Sequence, residues 1–272
     1  RDRKSIITNH KIDIVISDNR FGLWNRKVRT VYITHMPRIP FPKGFRWLEG
    51  IGILCHRFIM KKYDLCLIPD LPGEINISGR LSHGVKLPEN TMFSGILSRF
   101  SIGDDPSGTA SDNFPHNTVI LSGPEPQRSV LRKKLAMIIK DYDMPSVFLE
   151  GKPEHGDQLS KEGNIISYPH LATSEMKKLI AGSSNIVCRA GYTSIMELIS
   201  LRCSALLVPT PGQTEQEYLA EYLSGKGWFT MMKQKNLKEG IRLPGTDAKW
   251  TEEIMEQSRE LLDEALTVLL KD

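Results

Sequence analysis

From residue 118 onward the chain alternates short apolar runs with amphipathic stretches, and this regularity constrains its fold more than any other feature. Runs of about four apolar residues at 118–121, 146–149, 164–167, 185–188 and 205–208 read as strands. Helical spacing occupies 126–141, 173–181, 193–201 and 214–226. Strands buried on both faces and joined by helical crossovers predict an α/β fold with a parallel, doubly wound sheet. In such sheets ligands bind at the carboxyl ends of the strands, in the loops that enter the next helix.

Before residue 118 the pattern is looser. Strands are expected at 12–17, 28–34 and 65–69, with a helix over 47–62. A stretch rich in Gly, Pro and Ser runs from 71 to 90. A second one, carrying Gly103-Asp104-Asp105-Pro106-Ser107-Gly108, has the composition of a linker. The expected organisation is an amino-terminal domain at 1–100, a linker at 101–117 and a carboxyl-terminal domain at 118–272. Its last helix, at 250–270, is expected to pack back on the first domain. A chain of 272 residues is long enough for two cores.

Charge is divided between the halves. Residues 1–100 hold 17 Lys and Arg against 8 Asp and Glu, and the remainder holds 19 against 24, so the two halves suit different partners. No apolar run reaches the ~18 residues that a spanning helix needs. Cys55, Cys66, Cys188 and Cys203 lack metal-ligand spacing and sit in apolar runs, which reads as reduced, buried thiols in a cytoplasmic protein. The chain opens on Arg1-Asp2-Arg3-Lys4 without an initiator Met, and a preceding segment is expected.

Three strand-to-helix loops carry the chemistry. In the first, Ser122-Gly123-Pro124-Glu125-Pro126-Gln127-Arg128, small residues approach a helix start beside an Arg, which suits a diphosphate; a plain turn with a solvated Arg is the alternative. The second runs from Cys188-Arg189-Ala190-Gly191 through Tyr192-Thr193-Ser194 to Glu197. Gly191 permits close approach, Thr193 and Ser194 bring hydroxyls to the helix amides, and Glu197 can accept both hydroxyls of a ribose. Simple capping and helix-dipole roles are the alternative there. In the third, Pro209-Thr210-Pro211-Gly212-Gln213-Thr214-Glu215-Gln216-Glu217, amides and carboxylates offer the planar donors and acceptors that read sugar hydroxyls, or else form an exposed first turn.

Taken together, the pattern strand–Arg–x–Gly–x–Thr–hydroxyl–x–x–Glu, then a strand ending Val208-Pro209, then Gln216-Glu217-Tyr218, resembles the family 28-like glycosyltransferases of the GT-B class. The resemblance covers about 118–229. It implies two Rossmann-like domains, with residues 1–100 the later part of the acceptor-side domain. It also implies a nucleotide diphosphate sugar donor, with UDP the expected nucleotide, and a carbohydrate or lipid-linked acceptor. Glu197 would hold the ribose, Thr193 and Ser194 would lie near the phosphates, and Gln216 and Glu217 would face the sugar, with Gln213 also in the donor set. Ser122, Gly123, Gln127 and Arg128 occupy the place of the family's glycine-rich diphosphate loop but depart from its sequence. Arg189, Gly191 and Tyr192 complete the expected donor set. A nucleotide-sugar hydrolase and a donor-binding subunit of a split enzyme are the alternatives on the same scaffold.

On the acceptor side, His35 ends a strand and Asp18 follows one, and both are candidate bases, although a lone His is often structural. Glu74, Ser78 and His83 share a loop that could face the same site. Residues 38–62 interleave Phe41, Phe45, Trp47 and Phe58 with Arg38, Lys43, Arg46, Arg57, Lys61 and Lys62, which suits peripheral contact with an anionic membrane at its inner face. A helix packed on the sheet, basic face outward, explains the same pattern. Asp141-Tyr142-Asp143 resembles a metal-binding motif but falls at a helix end, and neither a metal, a cofactor nor a nucleic-acid partner is expected.

Overall fold

The computed structural model describes residues 3–100, 115–156 and 158–271. The chain divides into two compact units: Arg1–Ile96 with Glu253–Asp272, and Leu97–Glu252. The division therefore falls at 96–97 rather than within the expected linker at 101–117, of which 101–114 lie outside the described residues. The second unit ends at 252 because the last helix belongs to the first.

The first unit holds a parallel sheet of β1 (Ile14–Asp18), β2 (Arg29–Ile33), β3 (Leu65–Ile68) and β4 (Thr91–Phe93), in that spatial order. Side chains alternate between its faces, as the period of two requires. Val31, Leu65 and Leu67 point to one face and pack with Ala265 and Leu269 of the last helix, α7 (Glu253–Leu270). Tyr32 and Cys66 point to the other and pack with Met60, at the end of α2 (Glu49–Met60), and with Tyr63. A short α1 (Arg3–Asn9) precedes β1. Neither α1 nor β4 is evident from sequence pattern, because β4 is three half-buried residues without alternation.

Two contacts fix α7. The Arg29 guanidinium donates to the carbonyl oxygens of Val268, at 2.7 Å, and of Lys271, closing the carboxyl end of the helix. Gly95 passes so close that a Cβ there would lie 2.5 Å from the Ser258 carbonyl oxygen, and its φ of +66° is itself unfavourable for other residues.

The second unit is a seven-stranded sheet in the order β11-β10-β9-β5-β6-β8-β7. Its strands are β5 (Asn117–Ile120), β6 (Ser146–Leu149), β7 (Ser160–Glu162), β8 (Ile165–Tyr168), β9 (Asn185–Cys188), β10 (Leu206–Leu207) and β11 (Thr230–Met231). All pairings are parallel except β7 with β8. The helices are α3 (Gln127–Ile139), α4 (Thr173–Ala181), α5 (Tyr192–Ser200) and α6 (Thr214–Gly225). Val119, Phe148, Val187 and Leu206 from the sheet pack with Leu131 and Leu135 of α3. The edge strands β7 and β11 escape the sequence pattern: β7 is fully exposed and β11 has two residues.

The chain order places the site. From β5 it moves outward through β6 and β8, then returns to the other side of β5 as β9 and moves outward again through β10 and β11. The reversal leaves a crevice at the carboxyl ends of β5 and β9, where ligands bind in sheets of this kind.

Gly95→Ala is expected to cost about 2–4 kcal/mol, since the new methyl meets backbone that cannot swing aside. A lowered midpoint in chemical denaturation, read against the wild-type chain, checks it.

Candidate functional site

Register brings the three loops to one level. Ile120 pairs with both Cys188 and Leu149, and Leu207 pairs with Cys188, so the loops after β5, β9 and β10 leave the sheet side by side. Arg189 ties them together. Its Nη2 donates to the Gln127 carbonyl at 2.8 Å, and its Nη1 to the carbonyls of Val208 and Pro209 at 3.2 and 3.3 Å. The side chain is 1 % exposed, and burial pulls the guanidinium down to about 10. Expected among the donor contacts, Arg189 instead lies beneath the loops and sets their spacing. Tyr192, also expected in the donor set, has its side chain buried in the core at 4 % exposure.

The first loop does not present the expected diphosphate seat. Glu125 Oε2 accepts from the Ser129 amide at 3.2 Å, so a carboxylate of the chain itself meets the amino end of α3. Arg128 turns to Glu125 at 3.0 Å and to the Gly151 carbonyl at 2.7 Å. Bonds from Ser129 and Arg128 hold the Glu125 carboxyl down to about 2. The charge of Arg128 is thus already matched, and Gln127 contributes its carbonyl to Arg189. Ser122 is half-buried beside the exposed Gly123, whose φ is +94°.

The amino end of α5 differs. Gly191 precedes it in extended conformation, without a side-chain cap, and a Cβ built there meets only open space. Thr193 is exposed and Ser194 half-buried on the first turn. Glu197 lies one turn further in at 8 % exposure, where burial raises its carboxyl and Arg99 works against that rise. Arg99 Nε meets Glu197 Oε1 at 2.8 Å. Sequence gave no signal for Arg99, because the two residues are 98 apart.

The third loop is braced by its own helix. Gln216 Oε1 accepts from the Thr210 amide at 2.9 Å, and Glu217 Oε1 from the Gly212 amide at 3.1 Å. Gln213 stands half-buried at the start of α6. Beside this loop a cavity of about 280 Å³ is lined by Pro209, Pro211, Glu217, Lys233, Gln234 and Lys235. A wider groove of about 890 Å³ opens at the opposite, amino-terminal edge of the sheet, and Asp141 and Asp143 line it with Arg242, far from the three loops. Among the described residues no group of three or more His, Cys, Asp or Glu side chains could hold a metal ion.

In the first unit, Asp18 ends β1 opposite Ile33, and His35 lies just past the end of β2, so both stand at the carboxyl edge of that sheet. Asp18 is exposed and His35 half-buried. The loop after β3 is organised by a residue the sequence did not single out. Asp70, fully buried, accepts from the amides of Leu71, Ile77 and Ser78 at 2.8 Å each and from Ser78 Oγ at 2.5 Å. Burial raises its carboxyl against those bonds. Ser78 joins Ser82 and then His83 Nδ1, while His83 Nε2 donates to the Leu71 carbonyl at 2.9 Å. Ser78 and His83, candidates for contact with an acceptor, are therefore committed to shaping the loop. Cys55 is exposed, against the expectation that all four thiols are buried; the other three are enclosed, which pushes each thiol up to about 12.

The fold is that of GT-B glycosyltransferases. The glycosyltransferase SnogD from Streptomyces nogalater superposes with a TM-score of 0.58 at 13 % identity, over 98 % of this chain and 75 % of that one, a likeness of fold alone. Residues 150–259 match the glycosyltransferase family 28 C-terminal domain. The match takes in the second and third loops and leaves the divergent first one outside.

Among curated relatives, the UDP-N-acetylglucosamine–N-acetylmuramyl-(pentapeptide) pyrophosphoryl-undecaprenol N-acetylglucosamine transferase of Desulforudis audaxviator is 30 % identical over 41 % of this chain and 29 % of its own length. An uncharacterised glycosyltransferase of Methanosarcina mazei is 23 % identical over 81 % of this chain and 60 % of its own. The chain thus spans less than two thirds of these relatives.

Arg189→Met is expected to lower stability by about 2–4 kcal/mol, because three carbonyls lose a buried cationic donor. Denaturation curves for the two proteins measure the difference.

Proposed function

We propose that this chain is a glycosyltransferase that moves a sugar from UDP to an acceptor hydroxyl without a metal or other cofactor. The observation that carries the reading is the contrast between the two helix ends at the crevice. The α3 end is answered by Glu125, whereas the α5 end is preceded by Gly191 with open space above it and leads inward to Glu197. The diphosphate would lie over the amino end of α5, where helix amides, Thr193 and Ser194 offset the charge of the departing phosphate. Glu197 would take both ribose hydroxyls. Gln213 and Gln216 would face the sugar, Gln216 through its amide NH₂, since its oxygen braces the loop. The relatives' names, which specify a UDP-sugar and a lipid-linked acceptor, support the choice of nucleotide.

On the acceptor side, Asp18 and His35 remain the candidate bases, sharing the carboxyl edge of the first sheet. The lipid-linked character of the acceptor is supported by α2. Its buried face is Glu49, His56 and Met60, while Trp47, just before it, and Ile51, Leu54 and Phe58 form an outward stripe at 71, 54, 65 and 63 % exposure. Arg46, Lys61 and Lys62 are exposed around that stripe, and Lys62 Nζ lies 4.6 Å from the Phe58 ring. An apolar stripe flanked by cations complements an anionic bilayer, so the chain would work at the inner face of a membrane. Among the described residues no helix is long and apolar enough to cross one.

Replacing Glu197 with Ala should weaken UDP binding about 10- to 100-fold in calorimetry, the loss of two bonds to a carboxylate, while the circular dichroism spectrum stays unchanged. Unaltered affinity would remove the ribose assignment. For α2, the double variant Trp47→Ser, Phe58→Ser should lose roughly tenfold or more of its partition onto phosphatidylglycerol vesicles in co-sedimentation. Equal sedimentation of variant and wild type would exclude this stripe as the contact.

A further inference from the structure

Glu197 is already held by a partner from within its own unit. Arg99 Nε meets Oε1 at 2.8 Å and Nη2 meets Oε2 at 3.3 Å, so the guanidinium edge takes both oxygens at once. The Glu197 side chain is 10 % exposed and that of Arg99 46 %, which puts Arg99 on the solvent side of the carboxylate. The arginine is steadied there. Its Nη2 lies 3.0 Å from Met176 Sδ, and its guanidinium carbon is 5.3 Å from the centre of the Phe100 ring. Ser98 Oγ meets Ser200 Oγ at 2.8 Å, pinning the segment along α5 beside Glu197.

We infer that Arg99 is a built-in competitor for the ribose seat, so that a nucleotide binds by displacing its guanidinium from Glu197. The inference rests on the donor-site reading above. A guanidinium edge and a ribose diol are both two-point donors, and each binds a carboxylate best in its plane with one bond to each oxygen. A carboxylate exposed on one side only cannot offer that geometry to both. While it stays paired, Arg99 works against the rise that burial imposes on the Glu197 carboxyl. The cost falls on affinity, which is reduced by the fraction of molecules in which the pair is closed. That cost is specific to the hydroxyls: a nucleotide without the diol has nothing to exchange for Arg99. Arg99 is thus a determinant of how strongly the site distinguishes ribonucleotides, acting through Glu197.

The test is calorimetric titration of the full chain and of Arg99→Met with UDP and with 2′,3′-dideoxy-UDP at pH 8. Arg99→Met keeps the length of the apolar stem and removes the competing charge. It should bind UDP roughly three- to tenfold more tightly, with the dideoxy nucleotide bound equally by both proteins. Arg99→Lys, which offers one point of contact in place of two, should fall between them, and serves alone if the Met variant does not fold. Tighter binding of both nucleotides alike would overturn the inference, since the gain would not run through the diol. Unchanged or weaker binding of UDP by the variants would also overturn it, while leaving the donor reading intact if the wild type binds. Binding of neither nucleotide by any of the proteins would overturn the donor reading and this inference together.

Discussion

Among the described residues the Arg189 side chain is the largest that is wholly enclosed, and the arrangement of the crevice depends on it. Burying a cation is costly unless its donors are answered. Here Nη1 and Nη2 are answered by carbonyls from two other loops, those after β5 and β10, while Nε stays buried without a partner, so the burial cost is offset in part and only when all three loops stand in one arrangement. A single residue at the end of β9 thereby converts three separately encoded turns into one surface. The parallel register supplies the same level for each loop, and Arg189 supplies the spacing between them.

Two helices point their amino ends toward that surface, and they are treated differently. At α3 the chain provides its own anion, Glu125, and uses Arg128 to hold it. At α5 a glycine stands before the first turn and the space above it is open. Helix ends attract anions in general, and at α3 the chain itself supplies one. One turn further along α5, the Glu197 carboxylate is matched by Arg99, a cation from its own unit.

In the first unit, apolar periodicity misleads at α2. A stripe with helical spacing ordinarily marks the buried face. Here His56 and Met60 meet Tyr32 and Cys66 of the sheet, Glu49 is buried against Arg80, and the stripe from Trp47 to Phe58 faces outward. Periodicity reports that a face is apolar and says nothing of which way it turns. Similarly, Ser78 and His83 looked like groups available to a substrate until Asp70 drew them into the loop after β3.

The sequence by itself determined the strand and helix alternation of the second unit, and with it the parallel sheet and the positions of the three loops. It could do so because each element is encoded locally, by the spacing of apolar residues within a few turns or a single strand. It also identified Gly191, Thr193, Ser194 and Glu197 as one group, since they lie within a single loop and the first turns of α5. Which loop side chains turn outward was decided only by tertiary structure. Arg189 and Tyr192 went inside, Glu125 claimed Arg128, Gln216 and Glu217 braced their own loop, and Glu197 met Arg99 from 98 residues away. Those outcomes depend on which donors and acceptors the fold brings within about 3 Å, and separation along the chain carries no record of that.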